Sequence, residues 1–219
     1  MHPETPVLPN LPLFPLSRVL LPGGRLALQI FELRYLEMIG QCVRAGTPFG
    51  VVGLVDGREV QRPDGDDPAG YAAESFHTMG TLAVIEAHTH PRPGLIMLRA
   101  RGTRRFRLER HERRRNGLWV GQARLLPRDP LMAIPPDLKP TSERLRQVLE
   151  HLERRVTDPE ARPVAAPYQL DDCGWVAHRW AELLPLAPPV TQSLLETDSP
   201  LLRLELVSDL LDELQTRQR

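Results

Sequence analysis

Few residues of this 219-residue chain stand where they could do chemistry. His88-x-His90 would put two imidazoles on one face of an extended segment, with His77 upstream, and two such groups could begin a zinc site. No cysteine or carboxylate has the spacing to complete it, so these read as surface histidines and no metal is expected. Cys173 and His178 are the ingredients of an activated thiol, but five residues apart on a helix they point to different faces. No third residue is placed to orient the imidazole, so Cys173 reads as a small buried hydrophobe. Glu32 and Arg34 diverge on a helix and make no acid–base pair. Lys139 is the only lysine, and no G-x-x-x-x-G-K-[ST] phosphate loop is present. No active site emerges, and no enzymatic activity or cofactor is expected.

Charge points to no single partner. The chain balances 28 basic against 28 acidic residues, so no global field draws it to nucleic acid or membrane. Its basic residues are nearly all arginine, which suits planar pairing with carboxylate or phosphate; a compositional bias of the genome gives the same skew. "RARGTRRFRLERHERRR" (99–115) is the densest basic run. On an ideal strand Arg99, Arg101, Arg105 and Arg107 share one face, while Ile96, Leu98, Phe106 and Leu108 face the core. A bulge at Gly102 would shift that phase. Phe106 is the one aromatic inside the run, and Glu109 and Glu112 interrupt it. The run therefore reads as a solvated face with local ion pairs, with RNA binding as the alternative.

The elements that must position these residues fall into two regions, 1–130 and 131–219. In the first, Leu11 and Leu13 share a strand face, but Pro12 and Pro15 lack ladder donors and predict a sheet edge. Pro22-Gly23-Gly24 turns the chain, and Leu26, Leu28 and Ile30 line a second strand. From Phe31 the period becomes helical through Tyr35, Met38, Ile39 and Cys42. Glu32 falls in the first turn and Gly46 at the stop, which describes a crossover helix. "FGVVGLV" (49–55) is a buried strand, and the turn-rich stretch 56–75 a long surface loop. Strands follow at 76–89, 94–110 and 117–126, with Asn116-Gly117 as a hairpin signal.

Five prolines in 127–140 mark the boundary. Beyond it the pattern is helical. Leu145, Val148, Leu149, Leu152 and Val156 form one stripe. A second helix, capped by Asp171 or Asp172, carries Val176, Trp180, Leu183 and Leu184. The last opens on Ser199-Pro200 and carries Leu204, Val207, Leu211 and Leu214. The amino-terminal stretch lacks a signal peptide's basic start and apolar core, and no run is long enough to span a membrane. A cytoplasmic protein with no membrane partner is expected. Its oligomeric state is not legible.

"LPLFPL" (11–16), "LPGGRLALQIFELRYLEM" (21–38), "FGVV" (49–52), "GTLAVI" (80–85), "GTRRFRL" (102–108) and "LLPLAPPVTQSLLE" (183–196) together resemble the amino-terminal LON domain of ATP-dependent Lon proteases. The likeness covers nearly the whole chain in order, with Phe31, Glu32, Arg34 and Tyr35 in its structural motif. Family members often carry lysine where Thr191 stands. The family's Ser-Lys peptidase dyad would need a suitably placed lysine, and Lys139 lies in the proline-rich linker. The resemblance implies a free-standing LON domain of α+β class: a PUA-like β-pseudobarrel with a crossover helix, then a helical bundle. It also implies a non-enzymatic module that recognises peptides or unfolded protein segments. For contact with such a client, Trp175 and Arg179 share a face beside the core stripe, and both are residue types enriched at interface centres. Packing of Trp175 against the β-rich region is the alternative.

Overall fold

The computed structural model describes residues 6–56 and 74–217, so the loop expected at 56–75 lies almost wholly outside the described residues. The chain is mixed α+β and divides into two compact units, Met1–Arg128 and Asp129–Arg219. The first holds β1 (Val7–Leu16), β2 (Arg25–Ile30), α1 (Leu33–Ala45), β3 (Phe49–Asp56), β4 (Ser75–Arg92), β5 (Leu95–Arg113) and β6 (Trp119–Leu125). The second holds α2 (Lys139–Arg155), α3 (Cys173–Leu183), α4 (Pro188–Glu196) and α5 (Pro200–Arg217).

The six strands form one sheet in the order β2-β5-β4-β3-β1-β6, and β5 also pairs with β6. The length of β5 makes this possible. Its first part, from Ile96 to Arg101, pairs with β2, and its later part, from Phe106 to Arg113, pairs with β6. Pairing therefore runs in a closed ring through β1, β3, β4, β5 and β6, leaving β2 outside it. Leu11, Leu13, Val52, Leu82, Phe106, Leu108, Ala123 and Leu125 make one apolar cluster. Phe14, Ile30, Tyr35, Met38, Ile39 and Phe49 belong to the other, where α1 packs on the sheet. Phe14 and Tyr35 stack there with ring centroids 4.0 Å apart.

β1 is not the edge strand its prolines predict. It lies between β3, which runs parallel to it, and antiparallel β6. The prolines are accommodated because neither flank is paired along its whole length: β6 takes Val7 to Pro12, and β3 takes Leu13 to Leu16. An irregularity between Leu8 and Leu11 contains Asn10 at φ 57°.

The expected bulge at Gly102 is present, where Thr81 opposite Arg105 is followed by Ala83 opposite Gly102. Its purpose is close approach. Gly102 N–H donates to Gly24 O and Gly23 N–H to Gly102 O, both at 2.8 Å. A Cβ at Gly102 would lie 2.2 Å from the Leu21 carbonyl oxygen. Two backbone hydrogen bonds thus dock the Pro-Gly-Gly turn on β5. The bulge also changes the burial phase, so Arg105, expected on the solvent face, is buried beside Phe106. Arg99, Arg101 and Arg107 remain exposed.

α1 begins two residues later than the periodicity suggests, because Glu32 is its N-cap rather than a first-turn residue. The Glu32 carbonyl accepts from Tyr35 and Leu36 N–H. Phe31 therefore falls outside the helix and is 55% exposed, whereas Tyr35, Met38, Ile39 and Cys42 are buried as the stripe predicts. Gly46 ends the helix at φ 63°, the left-handed conformation a glycine adopts without a Cβ clash. At Asn116-Gly117 β5 and β6 form an antiparallel hairpin, but not through a two-residue turn. Gly117 N–H donates to Arg114 O at 2.9 Å, Arg114 N–H donates to Leu118 O at 2.8 Å, and Gly117 has φ 81°. This is a three-residue loop ending on a left-handed glycine.

In the second unit, Leu145 and Leu149 of α2, Val176 and Trp180 of α3, and Leu204, Val207 and Leu211 of α5 are buried. Val148, Leu152, Val156, Leu183, Leu184 and Leu214, expected in the same stripes, are only half-buried. Ser199 Oγ accepts from Leu202 N–H at 3.3 Å, the expected cap of α5. No helix among the described residues is long and apolar enough to cross a membrane.

Candidate functional site

α3 presents Trp175, and its placement is fixed from the helix start. Of the two candidate caps, Asp172 takes the role: its carboxylate accepts from Trp175 N–H at 2.8 Å and from Met132 N–H at 2.9 Å. Cys173 N–H donates to Met132 O at 2.8 Å, so the chain before α2 runs beside the entry to α3. Trp180 Nε1–H donates to the Thr141 carbonyl at 3.0 Å and ties α3 to α2.

Trp175 is half-buried. The Tyr168 ring lies 6.0 Å from it, and the Arg179 guanidinium sits 5.7 Å from its ring centroid. Arg179 and Trp175 are thus neighbours, as their spacing on α3 predicts, but Arg179 is 2% exposed rather than open to solvent. It donates to Glu182 Oε1 at 2.9 Å. Burial raises the Glu182 carboxyl to about 7 despite the adjacent guanidinium, and burial lowers the Arg179 pKa. On the other side, Tyr168 donates its hydroxyl to Glu153 at 2.8 Å, and Arg162 donates to the same carboxylate at 3.2 Å. Burial raises the Tyr168 pKa, and the Glu153 carboxylate adds to that rise. The result is an aromatic surface held by two polar supports. It offers contact area and a cation beneath the ring, but no nucleophile.

Cys173 is buried and donates weakly to Ala133 O at 3.5 Å, and burial pushes its thiol pKa up, away from thiolate. Cys42 is buried and raised by the same cause. His88 and His90 are exposed, with rings 5.6 Å apart. Among the described residues no group of three or more His, Cys, Asp or Glu is placed to hold a metal. Lys139 opens α2 rather than lying in the linker, and it lines a cavity of about 700 Å³ together with Ser142. Ser142 Oγ donates to the Leu170 carbonyl at 2.5 Å, which makes that hydroxyl a structural group.

The basic run is interleaved with acceptors. Arg101 pairs with Glu86 at 2.6 Å, Arg124 pairs with Glu109, and Arg110 donates to Gln122 at 2.8 Å. The Arg124 and Gln122 hydrogen bonds hold the Glu109 carboxyl below its ordinary range. Phe106, the run's one aromatic, is fully buried and offers no stacking surface.

Arg34 of the structural motif is buried and works across the fold. It donates to Glu32 at 3.1 Å and to the Gly117 carbonyl at 3.0 Å, lies 3.7 Å from Glu74, and sits 4.3 Å over the Tyr35 ring. Glu74 in turn accepts from Trp119 Nε1–H at 2.8 Å. Arg203 escaped the sequence analysis altogether. It is completely buried, and its guanidinium donates to Leu194 O, Thr197 O and Asp129. Its periodic position beside Leu204 gave no sign of this. The carboxylate that pairs with this buried charge stands 74 residues away in the sequence.

The model of the ATP-dependent protease La (LON) substrate-binding domain matches residues 10–213. Among solved structures, the chain is similar to a Lon N-terminal domain protein from Xanthomonas campestris. They share 34% identity at a TM-score of 0.72, over 92% of this chain and 98% of that one. It is also similar to the N-terminal domain of a Mycobacterium avium complex Lon protease, with 16% identity and a TM-score of 0.55 over 91% of this chain and 96% of that one. At that identity the second likeness concerns the fold alone. No curated protein sequence matches the chain.

Proposed function

The chain belongs to the ATP-dependent protease La (LON) substrate-binding domain family, and on that premise we propose that it is a non-enzymatic module recognising peptides or unfolded protein segments. The observation that carries this reading is the family match across residues 10–213, both units included. Two features support it. Both cysteines are buried thiols with raised pKa, and the Ser142 hydroxyl, which lines the same cavity as the only lysine, is committed to a backbone carbonyl. The closed strand ring is the pairing a PUA-like β-pseudobarrel requires, and we read the helices beyond Asp129 as the accompanying bundle.

In this reading Trp175 supplies contact area to an apolar client side chain, and Arg179 holds the indole from below. A disordered client loses entropy on binding, so the affinity is modest, on the order of micromolar. Titration calorimetry with a permanently unfolded polypeptide, without nucleotide, tests it. Trp175→Ala should weaken binding by about 1–2 kcal/mol while the far-UV spectrum stays unchanged. Unchanged affinity in a folded variant removes Trp175 from the site. ATP hydrolysis or cleavage of the polypeptide by rigorously purified protein refutes the non-enzymatic reading.

A further inference from the structure

Among the described residues, β2 is the strand with one paired neighbour, and that neighbour is β5. Along its other side no described strand pairs with it. The pairing register fixes what faces outward. Arg18 Nη2 donates to the Ala27 carbonyl at 2.9 Å, so the backbone groups of Ala27 point away from β5. In an antiparallel strand both backbone groups of a residue point the same way and the direction alternates along the chain. Arg25, Ala27 and Gln29 therefore face outward, while Leu26, Leu28 and Ile30 bond to β5. Arg18 is exposed, and its guanidinium occupies the position an incoming N–H would take. Native sheets commonly shield an open edge with such a charge.

The side chains along this edge have a direction. Arg25, Ala27 and Gln29 share the solvent face, and Phe31, which follows the strand directly, continues the row at 55% exposure. On β5, Arg101 stands opposite Arg25 and Arg99 opposite Ala27, on the same face. Glu86 pairs with Arg101. One end of the edge is thus basic and the other aromatic, separated by about 20 Å of strand. We infer that the outer edge of β2 takes an extended polypeptide as an added strand, with an acidic side chain opposite Arg25 and an apolar or aromatic one six residues away near Phe31. Arg18 releases the Ala27 carbonyl as the strand docks and becomes available to the acidic residue. Main-chain bonds to Ala27 and Gln29 supply affinity whatever the sequence, and the two ends supply selectivity. This inference rests on the client-binding reading and names the kind of segment that would be bound.

The test uses a seven-residue blocked peptide with glutamate at one end, phenylalanine at the other, and alternating threonine and valine between. On the full chain it should bind with protection of the Ala27 and Gln29 amides from hydrogen exchange. Replacing its glutamate by lysine should weaken binding about tenfold. N-methylation of the peptide amides facing β2 should abolish binding, while N-methylation of the alternate amides should not. This arm needs no change to the protein. Ala27→Pro removes an outward N–H without touching the bonds to β5, and should weaken the peptide and an unfolded polypeptide alike. If the polypeptide binds and Ala27→Pro or N-methylation changes nothing, the edge is not the site, although client binding stands. If neither ligand binds, the client-binding reading fails with it. Tight binding of a single-stranded oligonucleotide that competes at the same amides assigns the basic edge to nucleic acid and overturns the proposal.

Discussion

Replacing Arg203 should cost as much as truncating a fully buried leucine. The guanidinium is completely buried and holds three acceptors: the Leu194 and Thr197 carbonyls at the end of α4, and the Asp129 carboxylate at the start of the unit. Arg203→Ala leaves two carbonyls without their charged donor and a carboxylate, 17% exposed, without its cation. Breaking a buried charged pair costs about 3–5 kcal/mol, and the lost stem adds a cavity. A loss of about 4 kcal/mol is expected, equivalent to roughly 8–16 °C in a chain of this size. Arg203→Met retains the stem but none of the donors and should recover only about 1 kcal/mol. Arg203→Lys keeps the charge but loses the fork, and should fall between Met and wild type. Urea titration followed by circular dichroism gives the totals, and hydrogen exchange in α4 and α5 shows where protection is lost. A loss below about 1 kcal/mol for Arg203→Ala would refute the reasoning, because burial of that charge would then need no partners.

Tyr35→Ala removes a buried ring stacked on Phe14 and lying under Arg34, and should cost about 4 kcal/mol, read from the same urea titration. Glu182 gives a pH signature. Its carboxyl is raised from the ordinary 4.5 to about 7, so the folded chain holds a proton that the unfolded chain releases between those values. Stability should therefore fall as pH rises from about 4.5 to 7, by on the order of 1–3 kcal/mol, and Glu182→Gln should abolish that slope. A slope that persists in the variant assigns the effect to another group.

Much of the fold was legible because it is written in local signals. Period two marked the strands, the stripe from Tyr35 to Cys42 marked α1, and Gly102 marked the bulge. What stayed hidden depends on partners distant in sequence. The prolines of β1 say that donors are missing; only the positions of β3 and β6 show that each flank is half used. Phe31 fitted a helical period that Glu32 cuts short by capping. Arginines were the least legible residues. Arg34, Arg105, Arg179 and Arg203 are all buried, and nothing in their immediate sequence separates them from exposed Arg99 or Arg101. For Arg34 the distant partner is the Gly117 carbonyl, 83 residues away. The pairing of Trp175 with Arg179 followed from helical spacing, but the burial of Arg179 did not.

The salt dependence of binding tests the central claim most directly. A labelled unfolded polypeptide and a labelled single-stranded RNA are titrated with the full chain, without nucleotide, at low and high salt, and anisotropy is recorded. Recognition of apolar polypeptide predicts binding on the order of micromolar that changes little with salt, and RNA binding that is weak throughout. Tight RNA binding that collapses steeply with added salt, beside a polypeptide that does not bind, would contradict the account.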